Sequence, residues 1–256
     1  MTQTWIILGA TSTIAKAFAR SVAENGATLI LAGRRMDDLQ ATAADAAARG
    51  AAAATPVMFD ARDPDTFQAI LDEAMAQPGT LNCAVFVGSM PPQEAIDADP
   101  AMLDGVIADS LTGPARFLQM LAPVLKDRGA GSIVGVGSVA GDRGRVGNYV
   151  YGAAKAGFAT YLSGLRNALG RQGVHVLTVK PGPVDTAMTE GLGPQPFMTT
   201  ADAVVADIHK ALRKKRNTLY TKWIWWPVIG GNLMPLLVIG LYRALKKTQN
   251  APVLFT

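Results

Sequence analysis

The sequence predicts an α/β protein: one doubly wound domain on a seven-stranded parallel sheet over residues 1–222, followed by an apolar, basic extension over 223–256. Three observations predict it. Short apolar runs alternate with longer helical patterns through the first 222 residues, which is how successive βαβ units read. The runs are near-continuously apolar rather than alternating, as strands covered by helices on both faces must be. The 256 residues, 49% hydrophobic and 17% charged, suffice for one sizeable core and exclude disordered and fibrous classes.

The first strand, Trp5–Leu8, runs into Gly9-Ala10-Thr11-Ser12-Thr13-Ile14-Ala15 and then a helix near 13–25. At such a turn, backbone N–H groups and the helix N-terminus can hold a pyrophosphate. Gly9 permits the tight turn and small Ala15 permits close helix packing. Thr13 puts a Cβ where a full glycine fingerprint has its middle glycine; Thr11, Ser12 and Ile14 complete the cradle. Alone, these residues are explained equally well as an ordinary strand-to-helix turn.

The second strand, Thr28–Ala32, leads to Gly33-Arg34-Arg35, about twenty residues beyond the turn, where an NAD site carries an acid for the ribose 2′-hydroxyl. Arg34 and Arg35 stand there instead. Their guanidinium groups suit a 2′-phosphate and stacking on adenine, which favours NADP over NAD; the other reading is two solvated arginines at a strand end. A helix near 37–49 follows, overlapping a stretch, 41–54, with ten alanines in fourteen positions, to which alanine's helix propensity assigns structure and no function.

The third strand, Ala54–Phe59, ends in Asp60-Ala61. Asp60 is placed to accept a hydrogen bond from the adenine amino group, or to cap the next helix near 64–77. The fourth, Leu81–Val87, opens into Gly88-Ser89. A helix near 100–127, a fifth strand Gly131–Val136, a helix near 151–171, a sixth strand Val174–Val179, a helix near 200–216 and a seventh strand Thr218–Tyr220 complete the predicted order. Right-handed crossovers place the helices on both faces of a Rossmann-like sandwich.

Tyr151 and Lys155 lie four residues apart, on one helix face. A nearby cation lowers a tyrosine pKa from about 10 toward the range of a general acid or base. Tyr242 and Lys246 share the spacing, but only the first pair begins a helix after a strand that ends in Gly137-Ser138. Ser138 and Tyr151 therefore converge at the carboxyl edge of the sheet, where ligands of this architecture bind.

The sequence also excludes. One cysteine, Cys83, and two histidines, His175 and His209, allow no disulfide framework and no cluster of metal-ligand spacing. No basic segment precedes the first apolar run, so the expected location is the cytoplasm. Residues 1–209 carry 15 Lys and Arg against 20 Asp and Glu, whereas 210–256 carry nine cations and no acid. No module interleaves those cations with exposed aromatics, which argues against nucleic acid. From Trp223 to Leu241 no charge interrupts an apolar run containing Pro227, Gly230, Gly231 and Pro235, and Arg243, Lys246 and Lys247 follow. The segment 223–247 reads as an interfacial, lipid-facing element on a membrane, as an extra core or subunit-interface helix, or as a span.

Taken jointly, Gly9–Ala15, Ser138, the Tyr151/Lys155 pair and Lys180-Pro181-Gly182-Pro183-Val184-Asp185-Thr186 resemble, in order and spacing, the short-chain dehydrogenase/reductase family, across residues 4–222. The resemblance implies an oxidoreductase that interconverts a carbonyl and an alcohol by hydride transfer with NADP(H). By it, Tyr151 protonates the carbonyl oxygen, Ser138 polarises it and Lys155 binds the nicotinamide ribose. Pro181 and Gly182 lie along the nicotinamide with Val184 beside them, and Thr186 contacts its carboxamide. A homodimer or homotetramer is expected.

Three positions depart from the family pattern: Thr13 and Ala15 in the first turn, Phe86-Val87-Gly88-Ser89 after the fourth strand, and Ser110 where the family has a helix asparagine that holds a relay water. Ser110, by its hydroxyl or its carbonyl, is expected to hold that water in an altered relay. Substrate walls are expected from Asp142–Asn148, Pro91–Pro92 and a lid over Val184–Met198 that includes Met188 and Phe197. The tail and the first turn resemble the branch that includes decaprenylphosphoryl-2-keto-pentose reductase, which implies a lipid-linked or otherwise apolar carbonyl substrate. The competing reading is a dinucleotide-binding sensor or scaffold at a membrane surface, without catalysis.

Overall fold

The computed structural model describes residues 2–190, 195, 197–222 and 225. Strands β1 (Gln3–Leu8), β2 (Thr28–Gly33), β3 (Ala53–Met58), β4 (Thr80–Val85), β5 (Gly131–Val136), β6 (Val174–Lys180) and β7 (Thr218–Tyr220) form one sheet, every pair parallel, in the order β3-β2-β1-β4-β5-β6-β7. The chain winds outward from β1 to β3, returns, and winds the other way from β4. The strand order therefore reverses between β1 and β4, and the crevice outside their carboxyl ends is where the fold opens.

Successive residues of β1 feed opposite cores. Trp5 and Ile7 join one cluster, Ile6 and Leu8 the other. On the first face α1 (Thr13–Ala23), α2 (Met36–Ala48) and α8 (Ala201–Arg213) pack through Phe18, Leu39 and Ile208; Trp5 meets Phe18 edge-on with ring centroids 4.9 Å apart. On the second face lie α3 (Phe67–Ala76), α6 (Gly113–Arg128) and α7 (Tyr149–Gly170), through Phe67, Phe117 and Phe158. Each of these fully buried rings contributes about 1.5–3 kcal/mol relative to exposure.

The predicted fold class and the seven parallel strands stand, and the differences have physical reasons. β3 is half exposed, because it is an edge strand that pairs only with β2, and this is also why Pro56, lacking an N–H, fits within it. The single helix expected over 100–127 is two, α5 (Met102–Ile107) and α6, joined by a π-helical turn over Ala108–Thr112. Pro114 has no N–H to give the Ser110 carbonyl, and the widened turn absorbs the mismatch. Before α3, Asp63 rather than Asp60 caps the turn at Pro64–Thr66, accepting from the Asp65 N–H at 3.1 Å. A short helix after β4, α4 (Gln93–Ala98), has no counterpart in the sequence reading. No helix among the described residues is long and apolar enough to cross a membrane, and the expectation for 223–247 lies outside the described residues except at Trp225.

Candidate functional site

A cleft of about 1020 Å³ opens along the carboxyl ends of the strands. Its first end is built from backbone. Gly9, at φ +75°, turns the chain out of β1 so closely that a Cβ there would stand 3.1 Å from the Phe86 backbone, a conformation and a space that together favour glycine. Ser12 then caps α1, its hydroxyl accepting from the Ala15 N–H at 3.4 Å. Thr11, Ser12, Thr13 and Ile14 line the cleft at this helix start, where the unpaired N–H groups favour an anion.

Arg34 and Arg35 follow β2 on the same wall and fare differently. Arg35 pairs with Asp38 at 2.5 Å, whereas Arg34 has no hydrogen bond or ion pair among the described residues. Asp60 and Ala61 also line the cleft, the Asp60 carboxylate accepting from the Arg62 N–H at 3.0 Å. Beside them Arg62 grips Asp109 through two 2.8 Å bonds. Burial would raise the Asp109 carboxyl, but the Arg62 guanidinium, with the Arg34 charge, outweighs it and holds it below the usual carboxylate range. The sequence reading missed this pair, because its two members come from separate elements.

The centre of the cleft gathers Ser138, Tyr151 and Lys155. Close helix packing brings them together: Gly152 lies so near the turn after β5 that a Cβ would stand 2.7 Å from the Ala140 carbonyl oxygen. Ser138 is extended, and its hydroxyl accepts from the Ala140 N–H at 3.1 Å. Lys155 Nζ donates to the carbonyls of Val87 and Val136, both at 3.0 Å, which ties α7 to the ends of β4 and β5.

The expected depression of the Tyr151 pKa by Lys155 does not occur in this state. Burial pushes the phenol up to about 12, with only the neighbouring Ser138 hydroxyl pulling the other way. The ammonium is committed to carbonyls and lies 5.8 Å from the ring centroid, and burial draws its own pKa down to about 8. Ser110 alone among the predicted site residues does not line the cleft. It is fully buried, its hydroxyl near the Ser89 N–H at 3.3 Å, and only Gly88 separates it from Lys155: a Cβ on Gly88 would stand 3.0 Å from Lys155 Nζ and 3.2 Å from Ser110 Oγ.

The far end is built from loops. Pro181, Gly182, Val184 and Thr186 line it, as do Met90, Pro91, Arg145, Asn148 and Met188. The ends of the segment expected to form a lid are tied down: Asp185 N–H donates to Thr199 at 2.9 Å, Thr199 N–H to Pro183 at 3.0 Å, and Lys222 Nζ to the Met198 carbonyl at 3.0 Å. Phe197 turns away from the cleft wall, at φ 58°, to meet Trp225 edge-on. Trp225 is buried against Gly182, where any Cβ would overlap its indole nitrogen, so the start of the C-terminal extension backs the Pro181-Gly182 turn. A buried network joins three elements here. Asp142, four residues past Ser138, pairs with Lys180 at the end of β6 and accepts from Tyr220 of β7 at 3.0 Å. Neither Trp225 nor this network was evident from sequence, since no local spacing marks either. No cluster of metal-binding residues occurs among the described residues.

Comparison with known proteins agrees with the geometry. The short chain dehydrogenase family matches residues 3–196. The chain is 35% identical over 235 residues to an uncharacterized oxidoreductase of Mycobacterium tuberculosis, covering 91% of this chain and 94% of that protein. It is 36% identical over 190 residues to sulfoacetaldehyde reductase 2 of Chromohalobacter salexigens, covering 72% and 73%. The fold matches that of a short-chain dehydrogenase from Sphingobium yanoikuyae, solved in complex with NADPH, with a TM-score of 0.78 at 21% identity over 99% of this chain and 98% of that one.

Proposed function

The chain belongs to the short-chain dehydrogenase/reductase family and is an oxidoreductase of that type; from that premise we propose that it is an NADP(H)-dependent carbonyl reductase in which Tyr151, Ser138 and Lys155 carry the chemistry. The observation that carries this reading is the gathering of those three side chains at the middle of one cleft whose first end is an anion-favouring turn. The residues fit the cofactor. The Gly9 turn and the start of α1 would take the pyrophosphate, Arg34 and Arg35 the 2′-phosphate, Asp60, Ala61 and Gly88 the adenosine, and Pro181, Gly182, Val184 and Thr186 the nicotinamide end. The NADPH complex of the Sphingobium relative and the reductase activity named for the Chromohalobacter relative support the same cofactor and direction.

Held by these residues, NADPH would supply the hydride that reduces the carbonyl carbon. The chain supplies the proton and the electrostatics. Tyr151, with its pKa raised to about 12, holds its proton at neutral pH and gives it to the carbonyl oxygen. Ser138 hydrogen-bonds the same oxygen as charge builds there. The phenolate left behind is stabilised by the Lys155 ammonium and regains its proton from solvent; oxidation of an alcohol is the reverse path.

The test is NADPH consumption by the full chain against a panel of aldehydes and ketones. Tyr151→Phe should lower kcat by about 10²–10⁴ while NADPH still binds. Equal turnover in wild type and Tyr151→Phe would refute the assignment and leave the dinucleotide-binding scaffold as the better account. The apolar, basic composition of 223–247 supports an apolar or lipid-linked carbonyl substrate met at a membrane surface. Loss of vesicle binding on deleting 223–256 is the expected result, and unchanged partitioning would oppose it.

A further inference from the structure

The far end of the cleft holds a cation that makes no hydrogen bond or ion pair among the described residues. Arg145 lies in the loop between Ser138 and α7 and lines the cleft near Tyr151. Its side chain makes no hydrogen bond or ion pair among the described residues. The other cations around the cleft are accounted for. Arg62 holds Asp109, Arg35 holds Asp38, Lys155 holds two carbonyls, and Arg34 stands at the end assigned to the 2′-phosphate. The carboxylate facing Arg145 is Asp142, whose two oxygens are already taken by Lys180 and Tyr220, and Arg143 adds a like charge. The acids that line the cleft, Asp60 and Asp109, are both at the adenine end.

A second unsatisfied group sits on the same wall. The Asn148 Oδ1 is buried without a partner, and its Nδ2 reaches only the Met90 sulfur at 3.9 Å. Its amide, whose oxygen and nitrogen can exchange places, is thus free to donate to a ligand. A desolvated, unpaired guanidinium costs free energy unless something binds it, and burial draws the Arg145 pKa below its ordinary value, as expected of a cation without a counter-charge.

We propose that the carbonyl substrate carries a carboxylate, sulfonate or phosphate group, which Arg145 binds through its planar fork and Asn148 assists, while the carbonyl lies at Ser138 and Tyr151. The placement of the carbonyl rests on the reductase reading; the anion site itself does not. Paired donors in a fixed fork match any of the three oxyanions, and pairing at one end fixes the distance to the reacting carbon at the other.

The experiment is a calorimetric titration of the full chain, with and without saturating NADP⁺, using succinate, methanesulfonate and inorganic phosphate in turn. The anion-favouring turn after β1 also takes phosphate, so the readout is the part of the binding that depends on Arg145. At least one anion should bind saturably to the wild type and at least about tenfold more weakly to Arg145→Gln, with Arg145→Lys between them. Equal binding by wild type and both variants, or no saturable binding of any of the three, overturns the site. This readout needs no turnover, so it stands apart from the reductase assignment. Where turnover is found, succinic semialdehyde should be preferred to its methyl ester, and the ratio of their kcat/KM values should fall about tenfold in Arg145→Gln; an unchanged ratio contradicts the role assigned to Arg145.

Discussion

The two ends of the cleft are made differently. The end proposed for the adenosine and pyrophosphate consists of strand termini and the turns that leave them: Gly9 after β1, Arg34 after β2, Asp60 after β3, Gly88 after β4. The other end, proposed for the nicotinamide and the substrate, consists of loops that are braced from afar, with Trp225 behind Gly182 and Tyr220 and Lys180 around Asp142. The first is set by backbone geometry common to the fold, the second by tertiary packing particular to this chain. The difference separates what fixes the reaction from what selects the molecule that undergoes it.

The sharpest way to break that contrast is at Gly9. A valine there meets both a left-handed backbone and a Cβ 3.1 Å from Phe86, so Gly9→Val should cost about 1–3 kcal/mol in urea unfolding and remove NADPH binding in fluorescence titration. Unaltered binding would mean that the turn does not hold the cofactor closely. A smaller effect, at the centre of the cleft, comes from Lys155. Its pKa is lowered to about 8, so the charged form proposed to stabilise the Tyr151 phenolate is present below that pH and lost above it, while Tyr151 itself stays protonated. The kcat/KM for carbonyl reduction should therefore fall about tenfold per pH unit above 8. A profile flat to pH 10 would assign the ammonium no part in the chemistry.

The same division governs how far the sequence could be read. The seven strands, both helix layers and nearly every predicted cleft-lining residue around the turns after β1, β2 and β3 follow from local signals, because a turn suited to an anion constrains residue types within a few positions of a strand end. Tyr151 and Ser138 were legible by a different route, the strand that precedes the helix. Local reading missed what packing decides. The π-helical turn places Ser110 behind Gly88 rather than in the cleft. Burial reverses the direction of the Tyr151 shift expected from Lys155, because the ammonium is spent on the strand-end carbonyls of Val87 and Val136. Arg145 was inside a loop read only as a substrate wall; its lack of a partner depends on Asp142 being engaged by residues from two other strands.

The most direct test of the cofactor assignment is a fluorescence titration of NADPH and NADH into the full chain, compared with Arg34→Ala and Arg35→Ala. NADPH should bind more tightly than NADH. Arg34→Ala should erase at least about tenfold of that preference, and Arg35→Ala less, since Arg35 is exposed and already paired with Asp38. Binding of neither nucleotide, or equal affinities that both variants leave untouched, would contradict the account.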